Sequence, residues 1–243
     1  MLRKRIGVLV PSTNTTAEAD FWMAAPAGVT VHSQRLEFKA RSASGVTLDD
    51  MNAEIEEGAR LLATARVNAI AYCCTSGSFF KGQGYDHEME QKLKKIGGGA
   101  GVVTSPAVVQ ALRHLGAKRV SVATPYPDFN NEKLRKYLEA AGFEVLNVAG
   151  DPKVAVNAPG PTNDEDPADI VEFASSVCRP EADALVCGCT AWRSMEAAEE
   201  LERRTGKPVV SANQATVWAT FRALGITQPV PGFGRLLREP AAA

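Results

Sequence analysis

Short apolar runs without polar alternation recur along the chain, among them Ile6-Gly-Val-Leu-Val10, Ala69-Ile-Ala-Tyr72, Val120-Ser-Val-Ala123 and Ala184-Leu-Val-Cys187. Runs of this length and kind suit strands covered on both faces, as in a parallel sheet. Between them, apolar positions return at helical spacing. Met51, Ile55, Ala59, Leu62 and Ala63 place a helix over 49–65, and Leu134, Tyr137 and Leu138 place one over 131–141. Further helices are expected over 107–115 and 216–224. The glycines of Ile96-Gly-Gly-Gly-Ala-Gly101 end a helix and lead into a strand at Val102-Val103. Strand and helix therefore alternate, which is the pattern of an α/β protein with crossover helices.

The pattern also repeats. Ile6-Gly-Val-Leu-Val-Pro pairs with Val120-Ser-Val-Ala-Thr-Pro, Gly28-Val-Thr-Val31 with Gly142-Phe-Glu-Val145, and Cys74-Thr with Cys189-Thr, each about 114 residues apart. Three strands repeating in one order at one spacing imply two pseudo-symmetric flavodoxin-like lobes, each a parallel sheet flanked by helices, with the active site in the cleft between them. The expected division is a first lobe over 1–108, completed by 216–243, and a second over 109–215.

Composition narrows the function. A 45% hydrophobic and 23% charged chain is ordinary for a soluble globular protein, so a packed core is expected. The net charge of −1, with basic residues scattered, argues against a nucleic-acid partner. No apolar stretch has the length of a bilayer span and no export signal is evident, so no membrane association and a cytoplasmic location are expected. The five cysteines then read as catalytic or buried thiols and not as disulfides. Cys73-Cys74 and Cys187-Gly-Cys189 lack the two-residue spacing of a zinc knuckle, so no metal site is expected.

Cys74 and Cys189 stand at the carboxyl ends of equivalent strands, where open α/β sheets place their chemistry. The N-termini of the helices that follow are expected to draw both thiols toward neutral pKa values, fit for a base, acid or nucleophile. Thr75-Ser-Gly-Ser78 adds hydroxyls and backbone N–H groups able to hold a carboxylate or an enolate oxygen, with Thr190 in the matching position of the second repeat. Asn14, in Pro11-Ser-Thr-Asn14, either binds a substrate carboxylate or caps the next helix. Tyr126, between two prolines, is either a fixed donor in the cleft or a core phenol. Cys73, Cys178 and Cys187 are read as core.

At Val10-Pro-Ser-Thr-Asn-Thr-Thr16, Cys74-Thr-Ser-Gly-Ser, Thr104-Ser-Pro, Ala123-Thr-Pro-Tyr126, Cys189-Thr-Ala-Trp-Arg and Val210-Ser-Ala-Asn-Gln-Ala-Thr-Val-Trp218, the chain resembles the aspartate/glutamate racemase superfamily. Within it, the similarity is to the branch of maleate cis-trans isomerases and arylmalonate decarboxylases. That resemblance implies cofactor-independent chemistry on a small carboxylate or dicarboxylate, performed by Cys74 and Cys189, in a homo-oligomer. It implies substrate contacts from Asn14, Thr75, Ser76, Tyr126, Asn157 and Thr190. Arylmalonate decarboxylases have glycine where this chain has Cys74, so the resemblance favours isomerisation. Maleate isomerases keep both cysteines but typically follow the first with apolar residues, unlike Thr75-Ser-Gly-Ser78. Three outcomes stay open: a maleate-type isomerase, a two-base racemase or decarboxylase-like enzyme, and a carboxylate-binding protein without catalysis.

Overall fold

The computed structural model describes residues 3–39, 45–82, 84–154 and 161–239. In chain order the first half contains β1 (Lys4–Pro11), α1 (Ala17–Ala24), β2 (Val29–Leu36), α2 (Gly45–Ala53), α3 (Ile55–Thr64), β3 (Ala69–Tyr72), α4 (Thr75–Phe79), α5 (Tyr85–Gly97), β4 (Ala100–Val103) and α6 (Thr104–His114). The second half continues with β5 (Arg119–Thr124), α7 (Asp128–Ala140), β6 (Glu144–Gly150), α8 (Pro161–Asp164), α9 (Pro167–Val177), β7 (Ala184–Cys187), α10 (Ser194–Thr205), β8 (Val209–Ser211), α11 (Ala212–Ala223) and α12 (Arg235–Arg238). The strands form two four-stranded parallel sheets, ordered β2-β1-β3-β4 and β6-β5-β7-β8. The order is the same in both, as the repeat requires. No helix among the described residues is long and apolar enough to cross a membrane.

Side-chain alternation divides the interior into three layers. Val8, Val10, Ala71 and Cys73 of the first sheet share one central core with Val120, Val122, Ala184 and Val186 of the second. Helices α6 and α11 are built into that core through Leu112, Val217 and Phe221, and the hydroxyl of Thr216 on α11 donates to that of Thr104 on α6 at 3.1 Å. The opposite faces are covered separately. Leu9, Ile70 and Tyr72 pack under α2, α3 and α5, while Leu185 and Cys187 pack under α9 and α10. Both faces of every central strand are thus apolar, which is why those strands read as unbroken hydrophobic runs.

The repeat extends to individual hydrogen bonds. In the first sheet Asn68 Oδ1 accepts the N–H of Arg5 at 2.8 Å, and Asn68 donates its own N–H to the Arg5 carbonyl at 2.7 Å. In the second, Asp183 Oδ2 accepts the N–H of Arg119 at 2.8 Å, and Asp183 donates its N–H to the Arg119 carbonyl at 2.8 Å. Each acceptor side chain sits just before β3 or β7 and sets the register of those strands against the centre of the sheet.

Two expected elements differ in detail. The helix over 49–65 is divided at Glu54, whose carboxylate accepts the N–H of Glu37 at 2.8 Å and ties that point to the end of β2. The last long helix begins at Ala212, four residues earlier than its apolar spacing indicates. Ser211 and Gln214 form a reciprocal capping box that starts it there.

The Asp183 bonds carry a pH signature. Its carboxyl is lowered to about 2, first by the Arg119 N–H and then by the Arg119 guanidinium. A carboxyl depressed below its unfolded value of about 3.9 contributes stability above that pH and loses it as pH falls through about 2. Asp183→Asn keeps an acceptor oxygen but cannot titrate, so urea denaturation followed from pH 5 to 2 should show a shallower loss of stability than in the unsubstituted protein.

Candidate active site

Both cysteine-threonine pairs lie two and three residues beyond their strands. Cys74 is the N-cap of α4. Its extended backbone (φ −150°, ψ 109°) turns the sulfur onto the helix start, where it accepts the Gly77 N–H at 3.3 Å. The Ser76 hydroxyl is 3.8 Å from the same sulfur. Cys189 follows Gly188 with φ at 91°, a left-handed conformation that costs a non-glycine residue about 1–3 kcal/mol. Strain of this kind is held only where neighbouring contacts dictate it. A side chain at Gly188 would press within 3.0 Å of Thr124 and 3.2 Å of Leu134.

The Tyr126 phenol brings the two thiols into one site. It is buried, and its environment includes Cys189, Cys74 and the hydroxyl of Thr75. The loop that carries it is held by Asn131, whose Nδ2 donates to the Tyr126 carbonyl at 3.0 Å and whose Oδ1 accepts the Thr124 hydroxyl at 2.6 Å. The Tyr126 N–H completes the ring by donating to Thr124 Oγ1 at 3.1 Å. Among the described residues Thr75 Oγ1 is buried with no hydrogen-bond partner of good geometry, although its carbonyl accepts the hydroxyls of both Ser78 and Ser105. An unpaired hydroxyl of this kind, beside a phenol and two thiols, is suited to a ligand oxygen.

Burial dominates the charge states. It pushes the Cys189 thiol up to about 11, against the opposing pull of the Ala191 N–H and the Tyr126 hydroxyl. It also raises the Cys74 thiol, although the Gly77 N–H, Ser76 and Tyr72 favour the thiolate. Near-neutral thiols, expected from helix N-termini alone, are therefore not what the ligand-free site holds. Removing water disfavours the anion more than three local donors favour it.

Asn14 and Thr190 form a strut between the lobes. The Asn14 Oδ1 accepts the N–H groups of Thr16 and Ala17, each at 2.9 Å, which is the helix-capping role. Its Nδ2 donates to Thr190 Oγ1 at 3.1 Å, and that hydroxyl donates to the Cys73 carbonyl at 3.0 Å. Among the described residues one N–H of Asn14 has no acceptor and could meet a ligand, while the Thr190 hydroxyl hydrogen is already committed. Asn157 lies outside the described residues. Cys73 and Cys187 are fully buried in the core and burial raises both thiols, whereas Cys178 is only half-buried.

Several residues around the site carry no motif of their own. Asn163 of α8 reaches the loop after β1, donating to the Thr13 carbonyl at 3.1 Å and accepting from the Thr15 N–H at 3.1 Å. Arg35 of β2 clamps that loop from the other side through the carbonyls of Ser12 and Asn14. Tyr72 and Asn52 lie behind Cys74, bonded to each other. Alternation along β3 puts Tyr72 on the same face as Cys74, which is the one signal that could have found it.

The sequence model of the arylmalonate decarboxylase family matches residues 6–237. The chain belongs to that family. Among its relatives, the maleate isomerase of Nocardia farcinica is 34% identical over 98% of this chain and 97% of its own. The arylmalonate decarboxylase of Bordetella bronchiseptica is 30% identical, with 80% of this chain and 82% of that one covered. A solved structure of the Nocardia farcinica maleate cis-trans isomerase superposes with a TM-score of 0.88 at 31% identity, covering 98% of this chain and 99% of that one. It is a cysteine-to-serine variant with a covalently bound succinylcysteine intermediate. The arylmalonate decarboxylase family fold thus accounts for both sheets.

Gly77 has no room for a side chain. A Cβ there would overlap the Tyr72 hydroxyl and come within 3.0 Å of Cys74 Sγ. Gly77→Ala should therefore cost about 1–3 kcal/mol of stability, read as a lowered urea midpoint with an unchanged slope. Leu61, exposed on α3, is the comparison site, where Leu61→Ala should shift the midpoint far less.

Proposed function

We propose that this protein is a cofactor-independent maleate cis-trans isomerase in which Cys74 attacks and Cys189 manages the proton. The observation that carries this reading is the convergence of two thiols from equivalent strand ends, Cys74 buried and Cys189 partly buried, on one phenol, Tyr126, beside the Thr75 hydroxyl. The covalent succinylcysteine of the Nocardia farcinica relative supports an addition mechanism, because a succinyl thioether is what a thiolate and a proton make from maleate.

The steps balance as follows. The Cys74 thiolate adds to one alkene carbon, and the electron pair of the double bond moves toward the far carboxylate as an enolate. Cys189 gives its proton to the other carbon and becomes the thiolate. The C2–C3 bond, now single, rotates. Cys189 takes back the proton, the double bond re-forms, and the Cys74 sulfur leaves as it entered, releasing the trans isomer. The Tyr126 phenol, the Thr75 and Ser76 hydroxyls and the free N–H of Asn14 are donors for the carboxylate and for the enolate oxygen. A thiol near 11 suits Cys189, which must hold its proton until an enolate forms beside it.

A second reading has one observation in its favour. Two opposed thiols can also exchange an α-proton without a covalent bond, as a racemase would. Proton NMR in deuterated water separates the two. Conversion of maleate to fumarate is expected, with no exchange of the α-hydrogen of aspartate or glutamate; exchange without fumarate would replace the isomerase reading by the racemase one.

Substitution of either thiol should be severe. Cys74→Ser and Cys189→Ser should each lower kcat by about 1,000-fold or more, since groups that act as a unit fail together. The two should differ in mass spectra, with Cys189→Ser accumulating a substrate adduct on the Cys74 peptide and Cys74→Ser accumulating none. Tyr126→Phe should cost about 100-fold or more in kcat, as loss of an oxyanion donor does.

A further inference from the structure

The duplication delivers a thiol to each lobe at the same strand end, yet the residue two positions earlier differs. It is Tyr72 on β3 and Cys187 on β7. Tyr72 is fully buried and packs in the same outer layer as Cys74. Its hydroxyl donates to Asn52 Oδ1. Asn52 in turn donates through Nδ2 to the Gly77 carbonyl and to the Tyr85 hydroxyl, both at 2.9 Å. Gly77 is the residue whose N–H caps the Cys74 sulfur. One amide on α2 therefore holds both the phenol behind Cys74 and the turn in front of it.

Phenol and sulfur border the same gap. The place a Cβ would take on Gly77 overlaps Tyr72 Oη and lies 3.0 Å from Cys74 Sγ. A phenol has a single proton to donate. While Cys74 is a thiol, the carbonyl of Asn52 is the better acceptor and takes that proton. A thiolate is a stronger acceptor than an amide oxygen, so ionisation of Cys74 turns the O–H about its C–O bond toward sulfur, with no heavy atom displaced. Cys189 has no equivalent behind it, because Cys187 occupies that place in the second lobe. The titratable groups around the pair are Cys73 just after β3, Tyr85 on α5, Tyr126 after β5 and Cys189 after β7, with the Asp20 carboxyl acting on Cys73 and the Lys81 ammonium 5.1 Å from the Tyr85 ring centre. These thiols and phenols are uncharged while protonated, and the Asp20 carboxyl, raised to about 7, ionises before the Cys74 thiol, so the thiolate forms with that charge already nearby.

We propose that Tyr72, held by Asn52, is the positioning residue that stabilises Cys74 as a thiolate and so makes Cys74, not Cys189, the nucleophile. This rests on the two-thiol reading above and explains how a duplicated fold with matched cysteines acquires unequal roles. Tyr72 neither gains nor loses a proton in the cycle. It changes which acceptor its hydroxyl serves.

The test is alkylation of the ligand-free protein by iodoacetamide across pH, with Cys74 and Cys189 peptides followed separately by mass spectrometry. Tyr72→Phe should raise the pH midpoint for Cys74 by about one unit, which slows its alkylation about tenfold at any pH below the midpoint. Asn52→Ala should move the midpoint down, because the phenol is then free to serve the sulfur in both states. The Cys189 profile should not move in either variant. With maleate, Tyr72→Phe should lower kcat and leave KM within about twofold, as expected for a residue acting on the nucleophile and not on substrate binding. An unmoved Cys74 midpoint in Tyr72→Phe overturns the proposal, and so does an unmoved or raised midpoint in Asn52→Ala. The second variant decides alone should the first not fold. Alkylation needs no turnover, so a failure in this experiment leaves the maleate reading standing, while absence of fumarate with the expected alkylation profiles would reject that reading and keep the role of Tyr72 in ionisation.

Discussion

A hydrogen bond between the lobes, from the Thr190 hydroxyl to the Cys73 carbonyl, joins the segments that carry the two thiols. Each partner is the immediate neighbour of one of the two thiols, so the bond ties the backbone beside Cys74 to the backbone beside Cys189. Other contacts hold that bond in place. Asn14 donates to the Thr190 hydroxyl, and Asn213 donates both to the Thr190 carbonyl and to the buried carboxylate of Asp20. Burial pushes that carboxyl up to about 7, so its charge is only partly developed at neutral pH. The strut draws on α1, on the segment after β7 and on α11, and it lies within a core shared by both sheets.

Much of what the family motifs share turns out to be architecture. Thr104 donates to the Tyr72 carbonyl, Ser105 to that of Thr75, and Gln214 to that of Phe233 while it caps α11. Trp192 donates from Nε1 to the buried carboxyl of Glu165, which anchors the segment after Cys189. These polar side chains satisfy backbone groups freed where strands stop and helices begin. A loop buried against such a site has no water to do this work, so side chains must.

The two thiols are matched in position and unequal in surroundings. Cys74 lies at a helix N-cap with a phenol behind it. Cys189 occupies a strained backbone conformation, with the N–H groups of Ala191 and Trp192 near its sulfur and burial raising it to about 11. Gene-scale repetition can place equivalent groups on either side of a ligand, but addition and protonation need opposite properties from them. In the proposed mechanism the different side chains behind each sulfur, Tyr72 and Cys187, would supply that difference.

The lobes, the strand order within the repeat and the two thiols were legible in the amino-acid sequence. Strands buried on both faces must be apolar throughout, and a repeat of about 114 residues displays its register directly. Asn14 and Tyr126 were legible as candidates, but their dual reading was not resolved, since a cap and a ligand need the same side chain. What only the tertiary structure decided is which polar groups meet: Thr190 with Cys73, Asn163 with the loop after β1, Asn52 with Tyr72, and the burial that raises both thiols where helix ends alone predicted lowered ones. Hydrophobic periodicity records how each residue faces its own element. It holds no information about partners more than 100 positions away, nor about how much water their meeting excludes, and that exclusion sets the ionisation on which this site depends.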